Sequence, residues 1–274
     1  MNLREQILSI GMRRRFQTRV DQLNLPCGPV DAAPVPDDDI AALPSAAQQY
    51  LRFMGVDGRP RDWSFRARFV GEFRQRIGQK FMPCEAWQYN TSLVPARVYY
   101  MRIDFAGLLP MFGVDVYRGG HGRMHGKLLG ITVADGSGPE FDVSELTTYV
   151  NDALMFAPSM LLRPAVTWTA VDDHHSFDVS ISDSGITATS RVFVDDQGRM
   201  VDFSTTDRWA ALPGGLTRAR WTTPIDGWLE HGDRCLPTGG HAIWHLDTGE
   251  FEYGRGRFIP DSVEFNVPPG VARR

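Results

Sequence analysis

Cysteine is scarce in this chain, and the cysteines that it has are scattered. Cys27, Cys84 and Cys235 are odd in number and form no CxxC pair. This spacing excludes a disulfide framework and a cysteine-based zinc site, and it is typical of thiols in a reducing compartment. We therefore expect a cytoplasmic protein, with a peripheral position at the inner face of the membrane as the alternative.

Long apolar runs are also missing. The longest, residues 105–114 and 154–162, each contain proline and fall well short of the ~20 residues that a membrane span needs. The first residues, MNLREQILSIGMRRRFQTRV, have no apolar signal core. The sequence thus predicts neither a membrane-spanning segment nor a signal peptide.

An excess of positive charge is lacking too. The chain has 29 basic and 33 acidic residues and a net charge of −4, so nucleic acid is not an expected partner. Only two basic residues are lysine, Lys80 and Lys127. In an arginine-rich chain, a lysine either marks a place that needs a compact ammonium group or is a chance survivor.

The common catalytic and cofactor motifs are absent. There is no GxSxG elbow, no P-loop and no GxGxxG that follows a strand. The histidines fall in pairs four residues apart, His121 with His125 and His241 with His245. On one strand such residues lie ~13 Å apart, too far to hold one metal ion. We therefore predict no metal and no cofactor.

What the chain does contain is a long series of segments with a period of two. From residue 61 onward, apolar and polar residues alternate in runs such as WSFRARFVGEF and RVYYMRIDF, with Gly, Pro or Asn between runs. We count about eleven strands. Their connections are too short for crossover helices, so the strands should be antiparallel. The predicted fold class is mainly β with α (α+β), one large curved antiparallel sheet or open barrel wrapped over an inserted helical segment.

Other segments flank or interrupt this sheet. Residues 1–23 read as a basic amphipathic helix, which either packs on its own domain or lies on an anionic membrane surface. Residues 24–44 read as an extended Pro- and Asp-rich linker. A single β-rich domain then covers residues 45–267, with a helical insert at 142–162, and residues 268–274 form a tail.

The helical insert begins with a group of three carboxylates. Asp142 and Glu145 match a capping box, in which both carboxylates satisfy free backbone N–H groups, and the spacing predicts a helix start at Asp142. Glu140 is not explained by the cap. It follows the rigid Gly-Pro pair 138–139, so it is a candidate general base or ion-pair partner.

Five separated stretches carry a resemblance to known proteins. They are LPSAAQQYLRFMGV, GQKFMP, GRMHGKLLG, GPEFDVSEL and FEYGRGRF. Together, over residues 43–266, they resemble an uncharacterised bacterial family, a domain of unknown function. The resemblance implies no activity. It implies a fold similar to the curved-sheet carriers of lipids and lipoproteins, in which an antiparallel sheet wraps over helices.

The sequence favours binding of a hydrophobic small molecule or lipid in a cavity between sheet and helix. Aromatic and apolar side chains would form the wall, and polar ones would lie at the rim. The expected ligand-binding residues are Lys80, Arg123, Trp87, Tyr89, Tyr99, Met101, Asp142 and Glu145.

Two other interpretations stay open. One is a cofactor-independent acid–base enzyme that acts on a small apolar substrate in the same cavity, with Glu140 as base and Lys127 or His125 as its partner. In the binding and the enzyme interpretation alike, Lys127 and Glu140 should meet at the cavity mouth. The other is an interaction domain without a pocket. The sequence does not predict the oligomeric state.

Overall fold

The computed structural model of the protein describes residues 3–28, 33–105, 109–171, 174–212 and 214–270, without the side chains of residues 3–10 and 105. Within these ranges there are four α-helices and two short 3-10 helices. The helices are α1 (Leu3–Gln22), α2 (Asp37–Ala41), α3 (Ser45–Phe53) and α4 (Pro139–Phe156), and the 3-10 helices are Pro158–Leu161 and Pro260–Ser262.

The strands outnumber those predicted. They are β1 (Ser64–Phe73), β2 (Met82–Thr91), β3 (Ala96–Phe105), β4 (Leu109–Arg118), β5 (His121–Leu128), β6 (Ile131–Ser137), β7 (Val166–Ala170), β8 (Ser176–Asp183), β9 (Ile186–Val194), β10 (Met200–Thr205), β11 (Trp209–Leu212), β12 (Gly215–Arg218), β13 (Arg220–Thr222), β14 (Ile225–His231), β15 (Arg234–Leu246), β16 (Gly249–Phe258) and β17 (Glu264–Phe265).

Fifteen of these strands form one large antiparallel sheet, which is not closed into a barrel. Its order is β6-β5-β4-β3-β2-β1-β16-β15-β13-β10-β9-β8-β7, with β14 beside β15 and β17 beside β1, and β11 pairs with β12 separately. The count of eleven was wrong because some predicted runs contain a tight turn. In GRMHGKLLGITVADG, Leu129 and Gly130 have φ of 50° and 84°, so the run folds back into β5 and β6.

Helix α4 lies on one face of this sheet, which we call the inner face. It packs mainly on β4, β5, β9 and β15. Every residue from Ser144 to Phe156 is buried, so the helix is covered on all sides rather than along one stripe. The main core cluster contains apolar side chains of α3, α4 and the inner face.

Helix α4 does not begin at Asp142. It begins at Pro139, with Gly138 as the capping position and no side-chain cap. Proline suits the first position of a helix because its missing N–H would have had no partner there. The predicted capping box is therefore wrong. Asp142 instead accepts a hydrogen bond from the N–H of Gly122 on β5 at 2.7 Å, and Glu145 turns to the sheet.

Helix α1 covers the opposite, outer face. Met12, Phe16 and Val20 are buried against β2 and β3, where Phe16 stacks on Trp87 with 6.0 Å between ring centroids. The basic N-terminal helix therefore packs on its own domain. Among the residues described, no helix has both the length and the apolar character of a membrane span.

The segment predicted to be an extended linker is partly folded. It contains α2, and Val35 and Ile40 are each only 2% exposed in the main core cluster. Two apolar residues spaced five apart in a Pro- and Asp-rich stretch gave too little periodicity to predict this short helix. Residues 29–32 lie outside the described ranges.

Candidate functional site

A cavity of about 220 Å³ lies between the inner face of the sheet and α4. Strands β1, β2, β3, β15 and β16 form its floor, and one side of α4 forms its roof. Its lining is mostly apolar at one side and polar at the other. The lining includes the side chains of Phe69, Phe73, Cys84, Gln88, Arg97, Tyr99, Met101, Asp115, Asn151, Asp152, Met155, Arg208, Trp221, Tyr253 and Phe258.

Glycines leave room for the cavity on its floor. Gly71, Gly240, Gly254 and Gly256 all line it, and they are neighbours across β1, β16 and β15. The FEYGRGRF motif explains this, because side chains alternate along a strand. Its two glycines face the cavity, whereas Arg255 pairs with Glu72 on the outer face. A Cβ atom on Gly71 would overlap the carbonyl oxygen of Arg255.

Aromatic and sulfur-containing side chains form the apolar part of the wall. Phe69 lies between Tyr99 and Phe258, with ring centroids 6.2 and 5.2 Å away. Met101 of β3 and Met155 of α4 complete this wall. Such a surface fits an apolar ligand by shape and dispersion contacts.

Charged side chains form the other end of the cavity, which we call the charged pole: Arg97, Glu145 and Asp152 are buried, and Asp115 and Arg208 are half-buried. Arg97 of β3 is only 4% exposed and joins the sheet to α4. Its guanidinium donates from Nε to Asp152 at 2.6 Å and from Nη1 to Glu145 at 2.9 Å. Two carboxylates thus compensate one buried cation, which makes the removal of Arg97 costly.

The three carboxyl groups of the pole hold protons more tightly than usual. Burial, reinforced by the nearby Asp115, raises the pKa of Glu145 to about 7. Burial also raises the pKa of Asp115 and of Asp152, although Arg97 opposes the shift in both. Asp115 borders the cavity, and among the described residues it has no hydrogen bond or ion pair. Its carboxyl group is therefore open to a ligand.

Arg208 is held at the pole by aromatic rings rather than by a carboxylate. Its guanidinium carbon lies 3.9 Å from the ring centroid of Trp221 and 5.4 Å from that of Trp244, and it donates to the Tyr253 hydroxyl at 3.2 Å. Its buried Nε has no acceptor in the described part of the chain. A buried donor without a partner is unfavourable. The Arg208 side chain also lines the cavity.

A second space, a groove of about 550 Å³, lies on the outer face between α1 and strands β4 and β5. Two of the predicted catalytic residues, His125 and Lys127, line it beside Arg15 and Arg19. His125 also approaches Asp135 of β6 at 3.6 Å. Neither His125 nor Lys127 lines the inner cavity.

The predicted pairing of Lys127 with Glu140 is not formed. Glu140 is in the first turn of α4, which packs beside Gly122 of β5 on the inner face. Lys127 lies five residues further along β5, which places it about 17 Å from Gly122 at the usual rise per residue. The described residues show no ion pair between the two, and they share no cavity. The turn between β6 and α4 returns the chain to the other end of β5.

Of the predicted wall residues, Tyr99 and Met101 line the cavity, but Trp87 and Tyr89 do not. Trp87 and Tyr89 lie on the outer face, packed under α1. Their neighbours on β2, Ala86 and Gln88, face the cavity instead. Aromatic content alone did not reveal which face of the strand each residue occupies.

The predicted rim residues are spread over the molecule. Lys80 is exposed in the turn between β1 and β2, and Arg123 pairs with Asp135 at the surface at 3.1 Å. Asp142 holds the start of β5, as described above. Glu145 does not line the cavity but belongs to its charged pole through Arg97. As ligand-binding residues, all four stay predictions.

The histidines of β15 make polar contacts with neighbouring strands. His241 lies between Glu252 and Asp226, at 2.6 and 2.8 Å, and both carboxylates outweigh burial to raise its pKa. His245 contacts the hydroxyl of Thr222 at 2.9 Å. Within the described ranges, no group of three His, Cys, Asp or Glu side chains is arranged to hold a metal ion.

Four residues of the pole were missed: Arg97, Asp115, Asp152 and Arg208. Two signals were present in the sequence. Asp152 follows Glu145 by seven residues, which places both on one face of a helix. Arg97 alternates with Tyr99 and Met101 on β3, so it shares their face. No local signal marks Asp115 or Arg208, which reach the pole through long-range pairing.

The comparison with protein families decides where this chain belongs. The model of a family of unknown function, DUF6544, matches residues 33–256. The chain is a member of that family. This confirms the resemblance carried by the five sequence stretches, all but the last residues of which lie inside the matched region. No match was found among curated proteins.

Solved structures give weaker likenesses to this DUF6544 member. A LolA superfamily protein from Nitrosomonas europaea is 12% identical, with 77% of this chain and 90% of that chain covered and a TM-score of 0.38. A DUF1329 family protein from Desulfovibrio piger is 8% identical, with 83% and 94% covered and a TM-score of 0.44. At these TM-scores neither carries an argument about function, which rests on the cavity itself.

Proposed function

We propose that this protein binds a small amphipathic molecule in the inner cavity, with its apolar part on the glycine floor and its polar end at the charged pole. The observation that supports this most is the pairing of an apolar wall with two polar groups that line the same cavity: Asp115, whose carboxyl group has no hydrogen bond or ion pair in the described part of the chain, and Arg208. Ligand sites commonly combine apolar walls with a few such converging polar groups.

The pole favours a polar end that both donates and accepts hydrogen bonds. Asp115, when ionised, accepts a hydrogen bond, and Arg208 donates one. A hydroxyl group can donate to Asp115 and accept from Arg208, whereas a purely apolar molecule would leave the Asp115 carboxyl group without a partner. The cavity, at about 220 Å³, is slightly smaller than typical ligand pockets. It therefore suits a small molecule, or one end of a longer chain.

Filling the cavity tests this proposal. The fluorescent hydrophobic probe N-phenyl-1-naphthylamine should bind the wild type, and a medium-chain alcohol such as decanol should displace it. Gly254→Val should abolish binding while the fold persists, because a Cβ at this position meets only the Cβ of Ala242, at 3.7 Å. Gly227→Val, on β14 outside the cavity, is the matched control, since its nearest contact is an ordinary 3.4 Å. Equal binding by all three proteins would refute the proposal.

The acid–base enzyme is the second candidate, and the charged pole is the observation that favours it. A carboxyl group whose pKa is near 7, such as Glu145, can exchange protons at neutral pH. The group that contacts the substrate would then be Asp115, with the Glu145–Arg97 pair behind it, rather than Glu140, Lys127 or His125. Incubating a bound compound with wild type and with Asp115→Asn separates the two functions. Chemical conversion by wild type alone indicates an enzyme, and unchanged compound indicates a binding protein.

A further inference from the structure

In the β1–β6 half of the sheet, two hairpin turns lie at the same end. Because β1 to β6 are consecutive antiparallel neighbours, the β1–β2 and β5–β6 turns lie at the end where β1 and β5 finish, and β4 begins between them at Leu109. With strands ~4.8 Å apart, the two turns are separated by about 19 Å along the sheet. The turns therefore form one edge of the molecule, compact enough to meet a single surface.

Apolar side chains are concentrated at this edge. Eight large apolar side chains are exposed in the described part of the chain, and five belong to these hairpins or to the start of β4: Ile77 (61% exposed), Leu109 (39%), Leu129 (65%), Ile131 (71%) and Val133 (50%). Leu129 stands in a two-residue turn with φ of 50°, a backbone conformation that leucine rarely adopts. Neither exposure to water nor the geometry of the turn favours leucine at this position. A group of exposed apolar side chains such as this one is typical of an interaction surface.

The charges at the same edge are mostly positive, and its two acidic residues, Glu72 at the end of β1 and Asp104 at the end of β3, each pair with an arginine. Both lysines of the chain lie there, Lys80 in the β1–β2 turn and Lys127 next to the β5–β6 turn, together with Arg76. The sequence has no acidic residue in 74–81, 105–110 or 127–131. Compact ammonium groups beside exposed apolar tips fit a surface that is apolar inside and anionic at its boundary.

An apolar path joins this edge to the inner cavity. Met101 and Cys84 line the cavity and also pack with Met82, Ile103 and Met111 in a separate cluster, which reaches Leu128 at the end of β5. Leu128 precedes the exposed Leu129 directly. This edge and the inner cavity are thus connected along the inner face by apolar side chains.

We propose that this hairpin edge docks on the surface of an anionic lipid bilayer, with Leu129 and Ile131 inserted among the lipids and Lys80 and Lys127 at the headgroups. Helix α1 is not the anchor, because its residues Met12, Phe16 and Val20 are buried against the sheet. The inference goes beyond the proposed binding function and does not depend on it.

Vesicle sedimentation of the full chain tests the docking. The wild type should sediment with phosphatidylcholine vesicles that contain phosphatidylglycerol, less so in high salt, and much less with pure phosphatidylcholine. The double substitution Leu129→Asp/Ile131→Asp should lower partitioning at least about tenfold. The double substitution Lys80→Gln/Lys127→Gln should lower it about fivefold for each lysine. All four side chains are solvent-exposed, so the variants should retain wild-type circular dichroism and naphthylamine binding.

The matched controls carry the same chemistry elsewhere. Val201→Asp replaces an exposed apolar residue on β10, away from these turns, and Arg257→Gln removes an exposed charge near the end of β16. Both should sediment like the wild type. Arg14→Gln, on the exposed side of α1, should also do so. The docking proposal is overturned if the wild type ignores anionic vesicles, if the hairpin variants bind as well as the controls, or if Arg14→Gln alone abolishes binding.

Discussion

Replacing Arg97 with methionine should destabilise the protein in a pH-dependent way. The substitution keeps most of the side-chain volume but removes the one cation that pairs with both Glu145 and Asp152. Breaking a buried ion pair from one side typically costs about 3–5 kcal/mol, because the remaining charge stays buried without compensation. We expect the full loss at pH 8. At that pH each carboxyl group must either carry a buried charge without a cation or keep a proton that it would release in water.

The loss should shrink in acid. Without Arg97, burial and mutual repulsion raise the pKa of Glu145 and Asp152 still further, so the folded variant binds protons that its unfolded chain releases. A state that binds more protons gains stability as pH falls. Between pH 8 and pH 5 the penalty should therefore decrease by at least about 1 kcal/mol, roughly the value of one pKa unit.

Urea unfolding at the two pH values measures this directly. Arg123→Met is the matched control, because its ion pair with Asp135 has the same chemistry but 62% of the Arg123 side chain is exposed. That control should unfold at nearly the same urea concentration as the wild type at either pH, because exposed ion pairs contribute little to stability. The account of the charged pole fails if Arg97→Met costs no more than the control, or if its penalty is the same at pH 5 and pH 8.

Further predictions concern the pole, the floor and α1. Because the folded-state pKa of Glu145 is raised to about 7, wild-type stability should fall as pH rises from about 5 to about 8, and a pH series of melts should show a shallower fall for Glu145→Gln. Gly71→Ala should unfold or strongly destabilise the chain, since its Cβ would overlap β16 backbone, whereas Gly254→Ala should melt near the wild-type temperature. Phe16→Ala should cost about 3–5 kcal/mol in urea unfolding, because this ring of α1 is packed against the sheet and only 1% exposed. A loss under about 1 kcal/mol would show that α1 does not pack as described.

Sequence periodicity predicted the architecture well because strand alternation is a local property. The antiparallel sheet, the N-terminal helix and the break after Phe156 all follow from spacing and from Pro158. The strand count failed where a turn used an unexpected residue. Leu129 carries no turn signal, so β5 and β6 read as one run.

The site was harder to predict than the fold because it depends on which strands become neighbours. Asp115 faces the cavity only because β4 pairs with β3 so that Asp115 lies opposite Tyr99. Arg208 arrives from a segment more than a hundred residues from Arg97. The carboxylates of α4 were assigned to a local cap, whereas long-range contacts with Gly122 and Arg97 satisfy them. For Asp142 and Glu145 a local interpretation was available, and tertiary contacts overrode it.

Methionine methyl NMR tests the central claim most directly, that a small amphipathic molecule binds between the glycine floor and α4. The chain has ten methionines, of which Met101 and Met155 line the inner cavity, whereas Met12 belongs to α1 and packs on the outer face. On titration of decanol into protein labelled with carbon-13 at the methionine methyl groups, the signals of Met101 and Met155 should shift together and saturate, and that of Met12 should stay fixed. Absence of any saturable shift at Met101 and Met155, or a shift confined to Met12, would contradict the account.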